Sequence, residues 1–492
     1  MILHDLIENI DFISIKGSLN IEIDGIAYDS RTVSKKYLFV CMDGYLTDGH
    51  YYIKEAMGQG AVAIIIEKPD YIGFDIDFAA VTVIQVKNSR NILPIISARF
   101  YNKPTNMLKL IGITGTNGKT STAYLVKSIF ESWGKKVGLL GTIAIEIGEK
   151  KVNSQRTTPE SLDLQGIFRE MVNIGIEYCV MEVSSHSLTL GRVEECNFHI
   201  GAFTNLSPEH LDFHEDMESY RKTKEKLFFM TNFTNIINAD DKEGRKIIQN
   251  INKMDTPLLT FGIDQNAYIT AKNIDINSEG VSFELITPDY MVQINGNVPG
   301  LFSVYNCLTA ASIAYAEGVC PNAICKGIEN FHSVPGRMEK VDIDTPYKVI
   351  IDYAHTPDGL ENVLRTIKAY AKKRIITVFG CGGDRDKKKR AIMGEIAGIF
   401  SDYCILTSDN PRTENPYEII EQIEKGIANT GCGYICIENR KEAIKEAMRI
   451  AQEDDIILLA GKGHERYQEL NGITVDFDER KIVKDILFRE EG

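Results

Sequence analysis

The chain has 492 residues, and at roughly 150 residues per domain that length implies about three domains rather than one. With 43% hydrophobic and 25% charged residues, 14 prolines and 39 glycines, the composition is that of an ordinary globular protein and excludes collagen-like, fibrous and disordered readings. The net charge of −14 argues against broad adhesion to nucleic acid or an anionic membrane, and apolar runs such as Ala61 to Ile66 fall far short of the roughly 20 residues that span a bilayer.

From the N-terminus, Met1 to Asp11 carries His and acids where a secretory signal would carry basic residues, so a cytoplasmic protein is expected. The ten cysteines include no Cys-x-x-Cys pair and point to reduced, buried thiols rather than a zinc or disulfide framework. Apolar runs Leu38 to Cys41 and Ala61 to Ile66, with a helix-like stretch Tyr51 to Met57 between them, predict a small mixed α/β domain over residues 1–103. Asn102, Pro104 and Asn106 supply the turn chemistry that closes it. Over 104–334, the runs Leu110 to Thr114, Tyr178 to Val183, His199 to Thr204 and Asn235 to Asn238 alternate with helical periodicity. That pattern predicts a largely parallel sheet covered on both faces. Ala267 to Gln293 instead alternates apolar and polar residues and predicts antiparallel strands appended to it. Pro335-Gly336 marks a second boundary. Over 335–492, strands Lys348 to Tyr353, Ile375 to Phe379, Tyr403 to Thr407 and Asp455 to Ala460 alternate with helices such as Tyr417 to Ala428 and Arg440 to Gln452. The fold class expected is therefore α/β in three domains, the last Rossmann-like, with the loops after its four strands facing one crevice.

Directly after the strand Leu110 to Thr114 comes Gly115-Thr116-Asn117-Gly118-Lys119-Thr120-Ser121, followed by a helical pattern. A strand, a glycine-bearing loop and a helix N-terminus present several backbone N–H groups and a favourable dipole to an anion. Lys119 would meet the β/γ-phosphates of a nucleoside triphosphate and the Thr120 hydroxyl would ligate Mg²⁺. The spacing departs from the standard motif, which has Gly where Ile113 stands. Glu182, at the end of a neighbouring strand, is a candidate second metal contact, the alternative being an acid satisfied by a helix N-terminus. Asn205 to His214 crowds His210, Asp212 and His214 into another strand-end loop, which favours a metal or phosphate role.

Five segments in order, Thr114 to Thr120, Glu182 to His186, Asn205 to His214, Asp352 to Pro357 and Gly461 to Glu465, together resemble the Mur ligases, which build the peptide stem of bacterial peptidoglycan. The shortened phosphate loop is that family's form. The resemblance implies a UDP-binding N-terminal domain, a central ATP-binding domain and a C-terminal amino-acid-binding domain. It implies ATP-dependent amide formation through an acyl phosphate; charge and apolar run length exclude nucleic acid and membrane insertion, and a monomer is expected, though the sequence itself does not reveal the oligomeric state. Asp29-Ser30-Arg31, Asp48-Gly49-His50 and Thr157-Thr158-Pro159 are similar to the members that join a diamino acid to UDP-N-acetylmuramoyl-L-alanyl-D-glutamate. Asp409-Asn410-Pro411-Arg412 is the form associated with meso-diaminopimelate; lysine-adding relatives lack the arginine. Physical reasoning agrees, since the extra carboxylate of diaminopimelate suits the two parallel hydrogen bonds of a guanidinium. A solvated charge after a proline turn is the plain alternative for Arg412.

By resemblance, Glu182, His210 and Lys224 hold magnesium with Thr120, and Lys224 is carbamylated to N6-carboxylysine. Read without the resemblance, Tyr220 to Lys226 is a solvated basic helix face. Asn306 and Arg337 match nucleotide contacts and Asp352 the acid that meets the ribose; Ser30 matches the uridine contact. Thr157, Thr158, Ser184, Arg192 and Lys224 match contacts to the muramoyl-peptide substrate, and Arg385, Gly461 and Glu465 join the 409–412 tetrapeptide around diaminopimelate. Ser303 and Glu209 depart from the common Asn and Asp. The rivals are the lysine-adding form, folylpolyglutamate synthetase, which lacks the N-terminal module, and a phosphate-loop nucleotide switch.

Overall fold

The computed structural model describes residues 1–44, 47–71, 80–154, 156–209 and 213–490. Two compact units divide the chain, Met1–Gly112 with Lys136–Gly201 and Lys226–Phe233, and Ile113–Lys135 with Ala202–Glu225 and Thr234–Gly492.

In the first unit, five strands lie in the order Ser14–Lys16, Thr82–Gln85, Ala61–Ile66, Tyr37–Val40 and Gly25–Ala27, all parallel except the antiparallel edge Ser14–Lys16. Their near-continuous apolar sequence has a simple cause: both faces are covered. Leu38, Val40, Ala63 and Ile65 enter one buried cluster, Phe39, Ile64 and Ile66 the other. The unit also holds Val137–Leu140, parallel to Tyr178–Glu182 and antiparallel to Ala144–Ile147, which pairs in turn with Lys150–Asn153. Tyr178–Glu182 is buried throughout, and the helix Ser185–Thr189 follows, its first turn capped by Ser184 Oγ accepting from Ser187 N at 3.2 Å.

In the second unit, the helix Lys119–Ser132 starts at Gly118, whose φ of 84° a side chain would disfavour. Leu258–Gly262 runs parallel to Thr231–Asn238 where the two pair and to Ile269–Asn277; Ile269–Asn277, Gly280–Ile286 and Met291–Gly296 are antiparallel to one another in turn, as the alternation of that segment predicts. A six-stranded sheet closes the unit in the order Glu339–Lys340, Lys348–Asp352, Ile456–Ala460, Ile375–Phe379, Tyr403–Leu406 and Gly433–Cys436. All but the first pairing are parallel, so the loops after Asp352, Phe379, Leu406 and Ala460 leave from one edge. Ile350, Ile375, Phe379 and Leu458 pack on one face, and Val349, Ile376, Val378 and Ile457 on the other.

Two elements go beyond the sequence reading. The helix Leu301–Ala316 is buried almost all round, so it lacks the polar stripe that marks a surface helix. The hairpin Tyr467–Leu470 with Ile473–Asp476 turns at Asn471 (φ 48°) and Gly472 (φ 77°). Among the described residues no helix is long and apolar enough to cross a membrane, and all ten cysteines are free.

Candidate active site

The phosphate loop is built by close backbone approach. A Cβ at Gly115 (φ 146°) would strike Thr204 Oγ1, and one at Gly118 would strike Asn306 Oδ1, so both positions exclude a side chain. Thr116 N donates to Asn205 O at 2.8 Å, Asn117 N to Asn205 Oδ1 at 3.0 Å, and Thr204 Oγ1 to Asn117 O at 2.7 Å. Asp358, which the sequence did not single out, accepts from Asn117 Nδ2 at 2.7 Å and Ser207 Oγ at 3.2 Å. Lys119 Nζ lies along the loop, donating to Gly115 O at 2.9 Å and Thr116 O at 2.7 Å. Thr120 and Ser121 follow in the first turn of the helix.

Lys224 joins this cluster. Its side chain is 1% exposed, Nζ donates to Gly115 O at 2.8 Å and stands 4.7 Å from the centroid of the Tyr220 ring. Burial, reinforced by the neighbouring charge of Lys119, pushes its pKa well below the usual lysine range. Lys222, by contrast, is a solvent-facing partner of Glu218. The solvated-face reading therefore fails for Lys224. His210 lies outside the described residues.

Two further candidates, Arg337 and Asp352, come together at the end of the strand Lys348–Asp352. Arg337 stacks over Tyr353 at 4.5 Å, and Tyr353 meets His464 at 4.9 Å. Asp352 accepts from Met338 N and Ala354 N, each at 2.7 Å; burial raises its pKa, with Arg337 opposing. Burial, Arg337, Arg480 and His355 push His464 down to about 3, so its ring is neutral near pH 7.

In the first unit, Glu182 is 1% exposed and accepts from Thr142 N at 2.8 Å and Thr142 Oγ1 at 3.0 Å. A Cβ at Gly141 would strike its Oε1. Thr157 Oγ1 meets Thr142 Oγ1 at 3.1 Å, and Thr158 Oγ1 donates to Glu182 O at 2.8 Å and Ser184 Oγ at 3.3 Å. Arg192 Nη1 donates to Thr158 O at 3.1 Å. Four of the substrate-contact candidates thus form one cluster around Glu182. Glu160 holds Arg192 at 2.6 Å and Arg156 at 3.0 Å, a pairing the sequence gave no reason to expect. Ser30 stands apart, its hydroxyl bonded to Glu55 Oε2 at 3.1 Å.

The amino-acid candidates converge at the carboxyl edge of the six-stranded sheet. Asn410 Nδ2 donates to Glu465 Oε2 at 2.9 Å, and buried Lys462 Nζ donates to Asn410 Oδ1 at 2.9 Å and Glu465 Oε2 at 3.1 Å. Burial raises the pKa of Glu465 against Lys462; for Asp409, Lys462 and Arg440 outweigh burial and hold it below the ordinary range. Gly461 (φ 112°) lets the chain pass Asp409, whose Oδ2 would stand 2.6 Å from a Cβ there. Pro411 carries its carbonyl against Gly383, and Arg412 Nη1 donates to Gly383 O at 2.7 Å. Arg412 is itself strained into the left-handed region, φ 52°. Arg385 is more exposed, but a Cβ at Gly382 would lie within 3.8 Å of its Cγ and 3.1 Å of Arg412 Nη1, so both arginines flank one glycine. Lys462 was missed although it stands between two glycines in a strand-end loop, a visible signal.

Three family models match the chain: the Mur ligase family catalytic domain over residues 22–101, the Mur ligase middle domain over 113–314, and the Mur ligase glutamate ligase domain over 336–463. A UDP-N-acetylmuramoyl-L-alanyl-D-glutamate–2,6-diaminopimelate ligase of Alkaliphilus metalliredigens is 49% identical over 100% of this chain and 98% of its own length. The protein of that name from Alkaliphilus oremlandii is 50% identical over 100% of both. A solved structure of a ligase of the same name superposes with a TM-score of 0.69 at 29% identity, covering 100% of this chain and 99% of its own.

Proposed function

The chain belongs to the Mur ligase family, and on that premise we propose that it joins meso-diaminopimelate to the D-glutamate side-chain carboxylate of UDP-N-acetylmuramoyl-L-alanyl-D-glutamate at the expense of ATP, in bacterial peptidoglycan synthesis. The observation that carries the choice of amino acid is the strand-end loop 409–412, where Arg412 packs against Gly382 and Gly383 and Asn410 holds Glu465, in a chain 49% identical over its whole length to a protein named as a diaminopimelate ligase. The proposed domains are 1–103 for UDP, 104–334 for ATP and 335–492 for the amino acid, in a monomeric, cytoplasmic enzyme.

The phosphate loop binds the triphosphate through backbone N–H groups, and Lys119 holds the β/γ-phosphates. Asn306 and Arg337 contact the nucleotide and Asp352 the ribose. Ser30 contacts uridine, while Thr157, Thr158, Ser184 and Arg192 orient the muramoyl dipeptide. The γ-phosphoryl group passes to the glutamate carboxylate, since a carboxylate is otherwise a poor electrophile, and the amine then attacks the acyl phosphate and releases phosphate. Such transfer is catalysed mainly by positioning and electrostatics. Arg385, Arg412, Asn410 and Glu465 orient the amine, with Asp409, Pro411 and Gly461 shaping the loop around it.

By the family resemblance Thr120, Glu182, His210 and a carbamylated Lys224 are the residues that would hold Mg²⁺, and the Thr120 hydroxyl and Glu182 carboxylate are oxygen donors of the kind that cation takes. Held by these residues, Mg²⁺ would supply charge compensation for the transferring phosphoryl group. Carbamylation turns the buried cation of Lys224 into an anion that tolerates such a neighbour. The test is phosphate release from ATP with the UDP-muramoyl dipeptide, supplying diaminopimelate and lysine separately. Release that needs neither compound would point to a nucleotide switch instead.

A further inference from the structure

Arg412 already has a carboxylate partner within the protein. Glu469 Oε2 stands 2.7 Å from Arg412 Nε, while Arg412 Nη1 donates to Gly383 O at 2.7 Å. Both edges of the guanidinium therefore carry one protein acceptor. The two acceptors differ in kind: Gly383 O is fixed backbone, whereas the Glu469 side chain is 34% exposed and that of Arg412 24%.

The hairpin is fastened around this pair. Arg412 N donates to Glu469 O at 3.2 Å, Asn471 N to Arg412 O at 2.8 Å, and Glu469 N to Asn410 Oδ1 at 3.1 Å. These bonds fix the backbone of residue 469 against the 409–412 loop whatever its side chain does. We propose that Glu469 is a specificity-determining residue: its carboxylate is a displaceable stand-in on Arg412 for the second carboxylate of the incoming amine, and it sets how strongly the site prefers an amine that carries one. The inference rests on the reading of the 409–412 loop as the amino-acid site.

Two opposed effects follow. A carboxylate gripping Arg412 through two hydrogen bonds must displace or share the contact with Glu469, which weakens binding of a dicarboxylic amine. An amine without that carboxylate leaves the Arg412–Glu469 pair intact, so the guanidinium is not stranded, and lysine is penalised less than an isolated arginine would penalise it. Glu469 therefore narrows the discrimination that Arg412 creates.

Glu469→Gln keeps the length of the side chain and removes its charge. Partly exposed ion pairs are weak, so the expected change is about three- to fivefold. The KM for meso-diaminopimelate should fall by that factor, the KM for lysine should stay level or rise, and the KM for ATP and the melting temperature should not move. Diaminopimelate with its distal carboxylate amidated should show no gain. An unchanged or raised KM for meso-diaminopimelate would overturn the proposal and make Glu469 a residue that aims Arg412, as would an equal gain with the amidated amine. If the wild-type protein uses no diaminopimelate at all, the reading of the loop itself fails, which the wild-type arm reports separately.

Discussion

Lys224 and Lys119 meet on one carbonyl, Gly115 O, with two lysines donating to it at 2.8 and 2.9 Å. Burying a cation beside another is costly, which is why burial and Lys119 lower the pKa of Lys224; the proposed carbamate would remove that repulsion. Lys224→Ala should lose activity and recover part of it with added short-chain carboxylic acids; absence of recovery in the ATP assay counts against the carbamate. Lys119→Ala should lower kcat by about 100-fold or more at saturating ATP, the scale of losing one preorganised charge contact, with little change in the KM for the amine. At this scale legibility was uneven. The loop 115–121 announced itself through glycines that the backbone requires, whereas the burial of Lys224 was hidden between exposed Lys222 and Lys226. Glu469 gave no signal, because its partner lies far away in sequence and only the hairpin brings them together.

Elements with strong local patterns were legible. Ala61–Ile66 and Ile375–Phe379 have the bounds their apolar runs imply, because each is a strand buried on both faces. Leu301–Ala316 was not, since burial on every side erases the 3.6-residue period. The 467–476 hairpin carried a signal in Asn471-Gly472, a dipeptide suited to a turn with two positive φ values. One long-range pair joins elements that no local pattern links: Arg440 Nε and Glu479 Oε1 lie 2.8 Å apart, both side chains fully buried, and Arg440 Nη2 donates to Ala460 O at 2.7 Å. It ties the C-terminal helix Glu479–Glu490 to the strand end that launches Gly461 to Glu465. Breaking a buried pair strands the remaining charge, so Arg440→Met should cost about 3–5 kcal/mol, while Arg440→Met with Glu479→Leu should recover much of it. Denaturant midpoints at constant m-value check this; equal losses in the single and double variants would contradict it.

At the scale of the molecule, acid should destabilise in two stages. His464 is held at about 3 by burial and nearby cations, and Glu414 at about 2 by Arg390 and Lys387 against a smaller burial effect. Both folded values lie below the ordinary ones, so between the two values the unfolded chain binds more protons and stability rises with pH. The His464 contribution is complete above about pH 6.5 and lost as pH falls towards 3; that of Glu414 is complete above about 4.5 and lost towards 2. Melting temperatures of His464→Asn should fall less steeply than wild type between pH 6.5 and 3, and a parallel slope would contradict the assignment. The family was legible from five motifs spread along the whole chain, and matches of the three family models to successive stretches of the chain agree with it. What sequence could not supply was the charge arithmetic at the proposed amino-acid site, where Lys462 pairs with Glu465 and Glu469 with Arg412. The most direct measurement is ADP formation with UDP-N-acetylmuramoyl-L-alanyl-D-glutamate and either meso-diaminopimelate or lysine, for wild type and Arg412→Leu. Wild type should favour meso-diaminopimelate by about 100-fold or more in kcat/KM and Arg412→Leu should erase most of that preference. Equal use of both amines by wild type, or a preference that survives Arg412→Leu, would contradict the account.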